Sequence, residues 1–282
     1  MAGRAPAEAA DTPKVSRRHG GGTVRALLFT VLGEFALPAD GSVWTSSLIE
    51  VLGRLGVEEK ATRQALMRTA GDGWLAAERH GRRTRWRLTP SAERLLTDGT
   101  KRIYGFRAAG SRWDGRVVFV LARVPESDRS TRHLLRSRLG WAGFGSPAPG
   151  VWISTHTERI DEVESLLAQA NVDDGRIFVA EHAGGADLAS MVRQAWDLDA
   201  VEAEYEEFLA AFAASSTRDP LTRVVELVHA WRRFPSIDPD LPGELLPRRW
   251  SGERAAELFT KRHAKWAADA RAEWTRLERG GD

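Results

Sequence analysis

Two glycines limit what residues 24–88 can become. Gly56 and Gly73 each follow an amphipathic helical pattern, at the place where a helix commonly ends in a left-handed turn. The apolar stripes around them therefore belong to short helices and not to one long one. Val24, Leu27, Leu28, Val31 and Phe35 keep helical spacing and predict a first helix beginning near Thr23. Ser47-Leu48-Ile49-Glu50 reads as a capping box, with Leu48, Ile49, Leu52 and Leu55 as the buried stripe of a second helix. A third is predicted over about 58–72, with Glu58 and Glu59 favourably placed in its first turn. Two strands, 75–78 and 84–88, follow around His80-Gly81-Arg82-Arg83, with Trp86 and Leu88 alternating with Arg85 and Arg87. Thr89-Pro90 opens a further helix, Thr89 as N-cap and Pro90 in the first helical position.

Two short helices joined by a tight turn, with a basic hairpin behind them, are the parts of a winged helix-turn-helix. In the third helix Thr62, Ala65, Leu66 and Thr69 share the inward face. Glu59, Lys60, Arg63, Gln64, Met67 and Arg68 are left on the other. Arginine can pair bidentately with guanine, and glutamine with adenine, in the major groove. The hairpin supplies Arg82, Arg83 and Arg85, suited to phosphate or minor-groove contact. Charge is distributed in the same sense. Residues 1–106 carry a net +6 and residues 107–282 a net −4, within a chain of formal charge +2. A basic head on an acidic body suits a polyanion-binding module joined to a second function.

The remaining chain changes character twice. Residues 1–22, rich in Ala, Gly, Pro and Arg, read as a disordered tail whose Arg17, Arg18 and His19 could act as a DNA-touching arm. After a link at 108–113, strands at 117–122, about 141–144, 151–154 and 177–180 alternate with an Arg-rich helix at 127–139 and a helix at 160–170. That is the β-α-β-β-α-β order of a ferredoxin-like domain. From 187 onward only helices are predicted, at 187–195, 199–214, 220–233 and 253–278, with a proline-rich loop from Pro235 to Pro247.

Several chemistries find no support. The absence of cysteine excludes disulfides, zinc ribbons and thiol nucleophiles. No apolar run reaches the ~18 residues of a membrane span, and the first 22 residues lack the core of a secretory signal, so a cytoplasmic protein without membrane association is expected. The histidines show no metal-ligand spacing, and no phosphate loop or dinucleotide fingerprint occurs. Asp197/Asp199 and Asp238/Asp240 could be read as metal-binding pairs. The first opens an acidic helix and the second lies in the proline-rich loop, so both are read as structural. No enzyme activity and no cofactor are expected.

These residues resemble known families. Gly56-Val57 through Arg63-Gln64-Ala65-Leu66 resembles the helix-turn-helix of GntR-type repressors, with Glu58 and Thr62 departing from the usual Ser and Val. A longer resemblance, over roughly 24–278, is to the PaaX family of phenylacetate-pathway repressors. It is carried by Asp72-Gly73-Trp74-Leu75, Gly81-Arg82-Arg83, Trp113-Asp114-Gly115-Arg116, Gly150-Val151-Trp152, Arg233-Phe234, Asp238-Pro239 and Leu245-Leu246-Pro247. The resemblance implies a homodimeric repressor with three parts: a winged helix, a middle domain folded like the small CRISPR adaptation nuclease, and a helical C-terminal domain. It also implies release from double-stranded operator DNA by an aryl- or acyl-CoA thioester such as phenylacetyl-CoA. The first strand of the middle domain, 117–125, carries no acid until Glu126, so a metal site there is not expected.

The expected architecture is thus α+β. It consists of a tail at 1–22, a winged helix-turn-helix at 23–107, a ferredoxin-like domain at 108–184, and an all-helical ligand-sensing and dimerisation domain at 185–282. The expected DNA-binding residues are Lys60, Arg63, Gln64, Met67, Arg68, Arg82, Arg83 and Arg85. For an aryl-CoA, Trp196, Trp231 and Trp250 would supply aromatic walls, and Arg232 and Arg233 phosphate contacts, between the middle and rear domains. The rival readings are a metal-dependent nuclease using the middle domain, and an adaptor whose winged helix binds another protein.

Overall fold

The stripe that begins at Val24 forms α1 (Val24–Val31) and continues through a π turn, Leu32–Ala36, so that Leu28, Val31 and Phe35 are all buried. In this computed structural model, residues 24–107, 113–185, 187–214 and 219–280 are described, so the expected tail and its basic arm lie outside them. A three-residue strand, β1 (Ser42–Trp44), leads directly into α2 (Thr45–Arg54). Ser47 therefore sits inside the first turn and not at the cap. The helix starts early because Thr45 is held by the sheet: its hydroxyl donates to the Thr84 carbonyl and accepts from the Trp86 indole.

α3 (Glu59–Gly71) follows, and β2 (Leu75–His80) and β3 (Arg83–Leu88) form the hairpin. Gly56 and Gly73 adopt φ +82° and +78°, closing α2 and α3 with Val57 N–H donating to Leu52 O and Trp74 N–H to Thr69 O. β1 joins the other side of β3, giving the antiparallel order β1-β3-β2. The third strand is too short to show an alternating pattern in sequence. α4 (Pro90–Gly105) is capped by Thr89, whose side chain accepts from Ala92 N–H.

The middle segment builds β4 (Arg116–Leu121), α5 (Arg129–Trp141), β5 (Gly145–Ala148), β6 (Val151–Ser154), α6 (Ile160–Gln169) and β7 (Arg176–Glu181). The sheet order β5-β6-β4-β7, antiparallel throughout, is the ferredoxin-like arrangement. One expected strand moves. Residues 141–144 end α5 and turn through Gly143 at φ +79°, with Phe144 N–H bonded to Leu139 O, and β5 starts only at Gly145.

The rear contains α7 (Leu188–Ala195), α8 (Leu198–Ala213), α9 (Pro220–Trp231), the single turn α10 (Phe234–Ile237) and the long α11 (Ser251–Gly280). Asp187, Asp197 and Asp219 each accept an N–H in the first turn of the helix they precede. Asp197 is thereby a helix cap.

Two hydrophobic cores result. The middle segment has its own, from Val118 to Val172. The head and the rear share the other, in which Leu28, Leu52, Leu66 and Trp86 are continuous with Tyr205, Trp231, Phe259 and Trp274. Phe35 stacks on Trp274 across this join, with ring centroids 5.1 Å apart.

The loop after α10 is fastened by a buried ion pair. Asp238 has a fully buried side chain and accepts from Arg107 Nε at 3.0 Å, from the Tyr205 hydroxyl, and from Asp240 N–H. Arg107, at φ +55°, ends the head, and His156 of the middle segment reaches the same loop through the Pro239 carbonyl at 3.0 Å. Asp238→Asn removes the nearer charge partner of the buried Arg107 guanidinium and leaves only Asp240 at 4.0 Å, and the expected cost is about 3–5 kcal/mol in chemical denaturation.

Candidate functional site

α3 presents two unlike faces. Thr62, Ala65, Leu66 and Thr69 are buried, and Lys60, Arg63, Gln64, Met67 and Arg68 are exposed, Met67 to 64%. These exposed side chains, with Glu59, outline one shallow hollow along the helix. Arg63 is held by Glu59 one turn earlier, at 2.8 Å, an exposed pair that a phosphate or base edge can displace.

The hairpin turns at Gly81-Arg82 between the paired His80 and Arg83. Gly81 has φ +60°, as the first central residue of a type II′ turn requires. Arg82 and Arg83 are exposed at the tip. Arg85 is placed differently from the sequence expectation. It pairs with Asp40 at 3.2 Å and lies 5.5 Å from the Trp44 ring centroid, so it braces the base of the sheet instead of extending from its tip.

The expected ligand residues do not converge. Trp231 and Trp250 are core side chains, 1% and 7% exposed. Trp231 donates to the Ile103 carbonyl and stacks on Phe259, and Trp250 packs edge-on against Tyr205. Arg233 is tied to Glu204 at 3.1 Å. Arg232 closes the C-terminus of α9, donating to Ala26 O at 2.7 Å. Only Trp196 borders the large cleft between the middle segment and the rear. There it packs so closely on Gly145 that a side chain at 145 would overlap its ring.

That cleft has a volume of about 1030 Å³ and is lined on the middle-segment side by Arg123, Arg132, Arg136, Trp141 and Trp152. Arg132 and Arg136 were visible in sequence only as the polar side of an Arg-rich helix. Their spacing of four residues, one helical turn, was the available signal. No group of three or more potential metal-binding side chains occurs among the described residues, and no helix there is long and apolar enough to cross a membrane.

Comparison with known proteins follows the same tripartite order. Residues 23–92 match the family described as PaaX-like protein, 110–192 the PaaX protein central Cas2-like domain, and 196–276 the PaaX-like protein C-terminal domain. The sequence is 33% identical over 248 residues to the transcriptional repressor PaaX of Escherichia coli (strain K12), covering 83% of this chain and 77% of that protein. The chain belongs to the PaaX family. A solved structure of an uncharacterized protein from Mycobacterium tuberculosis matches this PaaX-family chain with a TM-score of 0.65 at 25% identity, over 90% of this chain and 99% of the other.

In this PaaX-family protein the head is coupled to the rear by polar contacts as well as by the shared core. Thr30 of α1 is hydrogen-bonded to His229 Nδ1 of α9 at 3.0 Å, and Arg232 donates to the same hydroxyl. Burial, reinforced by the charges of Arg232 and Arg233, pushes the His229 pKa down to about 4. An unfolded histidine titrates near 6.5, so the unfolded chain takes up its proton first. Stability is therefore complete above about pH 6.5 and falls as pH drops toward 4, by up to about 3 kcal/mol from this residue. Denaturation of wild type and His229→Gln across pH 4–7 checks this: the variant is expected to lack that part of the decline.

Proposed function

We propose that the chain is a transcriptional repressor of the PaaX type. Residues 24–107 act as a winged helix-turn-helix, and a homodimeric body responds to an aryl- or acyl-CoA thioester. The observation that carries the DNA-binding part is the exposed face of α3, where Lys60, Arg63, Gln64, Met67 and Arg68 share one strip while the opposite face is buried. A helix anchored on one side and lined on the other with arginine and glutamine is equipped to enter a major groove. Arg82 and Arg83 at the wing tip supply the flanking phosphate contacts. The exposed apolar side chains Leu121, Phe178 and Val179, on β4 and the free edge strand β7, suit contact with a second copy.

The effector belongs in the cleft of about 1030 Å³, not among the rear tryptophans. It has the size for a thioester of coenzyme A, indole walls for an aryl group, and Arg123, Arg132 and Arg136 for phosphates. It also lies between the middle segment and the 236–239 loop that anchors Arg107 of the head. A ligand that separates or closes those surfaces changes how the winged helix is carried, provided that it binds the two arrangements unequally.

Two measurements test these assignments. On a duplex selected from a random pool, Arg63→Ala is expected to weaken binding by about 1–3 kcal/mol and relax preference at one base. Arg82→Ala is expected to reduce the salt dependence of log K by about one unit, with base preference kept. Fluorescence anisotropy on selected and scrambled duplexes separates the two. Equal loss on both for Arg63→Ala would remove its base-reading role, and affinity insensitive to salt would favour the protein-adaptor reading.

In calorimetric titration phenylacetyl-CoA is expected to bind, and Arg136→Ala to lower its affinity about tenfold, as loss of one charge-assisted hydrogen bond predicts. Arg233→Ala is expected to leave that affinity unchanged. Thioester binding insensitive to Arg123, Arg132 and Arg136 together would place the effector elsewhere.

A further inference from the structure

A second cleft, sharing only Trp141 with the thioester site, lies where α1, α4 and α9 meet. It has a volume of about 380 Å³, toward the lower end of the range for small-molecule sites and too small for a nucleotide-bearing thioester. Its walls are Phe29 and Trp74, in edge contact at 6.3 Å, with Leu95, Leu96, Ile103 and Val228. Leu95 is 48% exposed, and Trp141, at the mouth, 55%. These are large apolar surfaces left facing an opening.

The polar groups in this cleft are unbalanced. Arg232 donates through Nη1 to Ala26 O and to the Thr30 hydroxyl, and its Nε and Nη2 make no hydrogen bond among the described residues. Arg102 uses one nitrogen for the Trp141 and Pro235 carbonyls. Among the described residues, neither guanidinium has a carboxylate within ion-pair distance, although both are partly buried. Burial accordingly pulls the pKa of each arginine down. A third arginine on the lining, Arg25, is neutralised by Asp72 at 2.6 Å. The one acid on the lining, Glu34, is already engaged by Tyr104 and by His263. Desolvated cations without counter-charge are costly, and an anion arriving from solution relieves that cost.

We propose that this cleft binds a compact apolar carboxylate, its hydrocarbon body against Phe29, Trp74 and Leu95 and its carboxylate on Arg232 and Arg102. The ligand has one anionic end and a body small enough for the volume. It contacts α1, which packs on α3, and Trp74, which directly follows the Gly73 turn of α3. Occupancy therefore bears on the position of the exposed α3 face. Binding itself does not depend on the repressor reading.

Gly99 allows a clean test, because it lines the cleft and a side chain added there meets nothing within 4 Å. Gly99→Leu fills the space without removing any contact and replaces a poor helix former in α4. The full chain is titrated calorimetrically with benzoate, cyclohexanecarboxylate and octanoate, each against its primary amide. At least one acid is expected to bind tenfold or more tightly than its amide. Arg232→Gln is expected to bring the two within about twofold. Gly99→Leu is expected to abolish both while leaving phenylacetyl-CoA binding as in wild type. Absence of binding by every acid, equal affinity of acid and amide, or wild-type affinity in Gly99→Leu each overturns the proposal. Loss of thioester binding alone counts against the other cleft.

Discussion

The Asp238 carboxylate is the point at which the three parts of the chain meet. Its side chain is fully buried, and it is held in that position by Arg107 from the end of the head and by the Tyr205 hydroxyl from α8. A buried ion pair adds little net stability compared with a good apolar contact, but it tolerates only one geometry, since any displacement leaves a charge unpaired. That intolerance fits a joint. The loop around Asp238 also accepts His156 from the middle segment through Pro239 O, so one short stretch of backbone references head, middle and rear to one another.

The shared core makes the same point in apolar terms. A head with a closed core of its own could pivot on a linker. Here Phe35 stacks on Trp274, the Trp231 indole donates to Ile103 O, and Thr30 is bonded to His229, so α1 and α4 are packed as part of the rear helices. The middle segment keeps a separate core. Both clefts lie at seams of this arrangement. One is between the middle segment and the rear, and the other is among α1, α4 and α9.

Electrostatics sort the basic residues into two groups that composition cannot separate. Arg85 and Arg107 are committed to Asp40 and Asp238, and Arg54 to Glu50 of α2, the α9 cap Asp219 and Glu273 of α11. Lys60, Gln64, Met67, Arg68 and Arg82 at the hairpin tip remain on open surface. A net basic head therefore overstates the charge left on open surface, because part of it is used in holding the fold together.

By itself the sequence determined the local structure. The 3.6-residue stripe over α3, the left-handed glycines at 56 and 73, the Thr89 cap and the β-α-β-β-α-β order are all set by neighbours a few residues apart, and each appears where that short-range physics puts it. Short-range signals also misled. Ser47-Leu48-Ile49-Glu50 has capping-box chemistry, yet the Thr45 hydroxyl, bonded to the sheet, starts the helix three residues earlier. Only the tertiary structure decided what meets across the chain. β1 exists because β3 offers it an edge, and Trp231 and Trp250 are core because Tyr205, Phe234 and Phe259 close over them. The arginines that face the two clefts come from α1, α4, α5, the stretch before α5 and the end of α9, and Arg233, whose partner Glu204 lies on another helix, is not among them. Burial and charge pairing between residues more than a hundred positions apart, such as Arg107 and Asp238, depend on how the elements pack, and no local pattern encodes them.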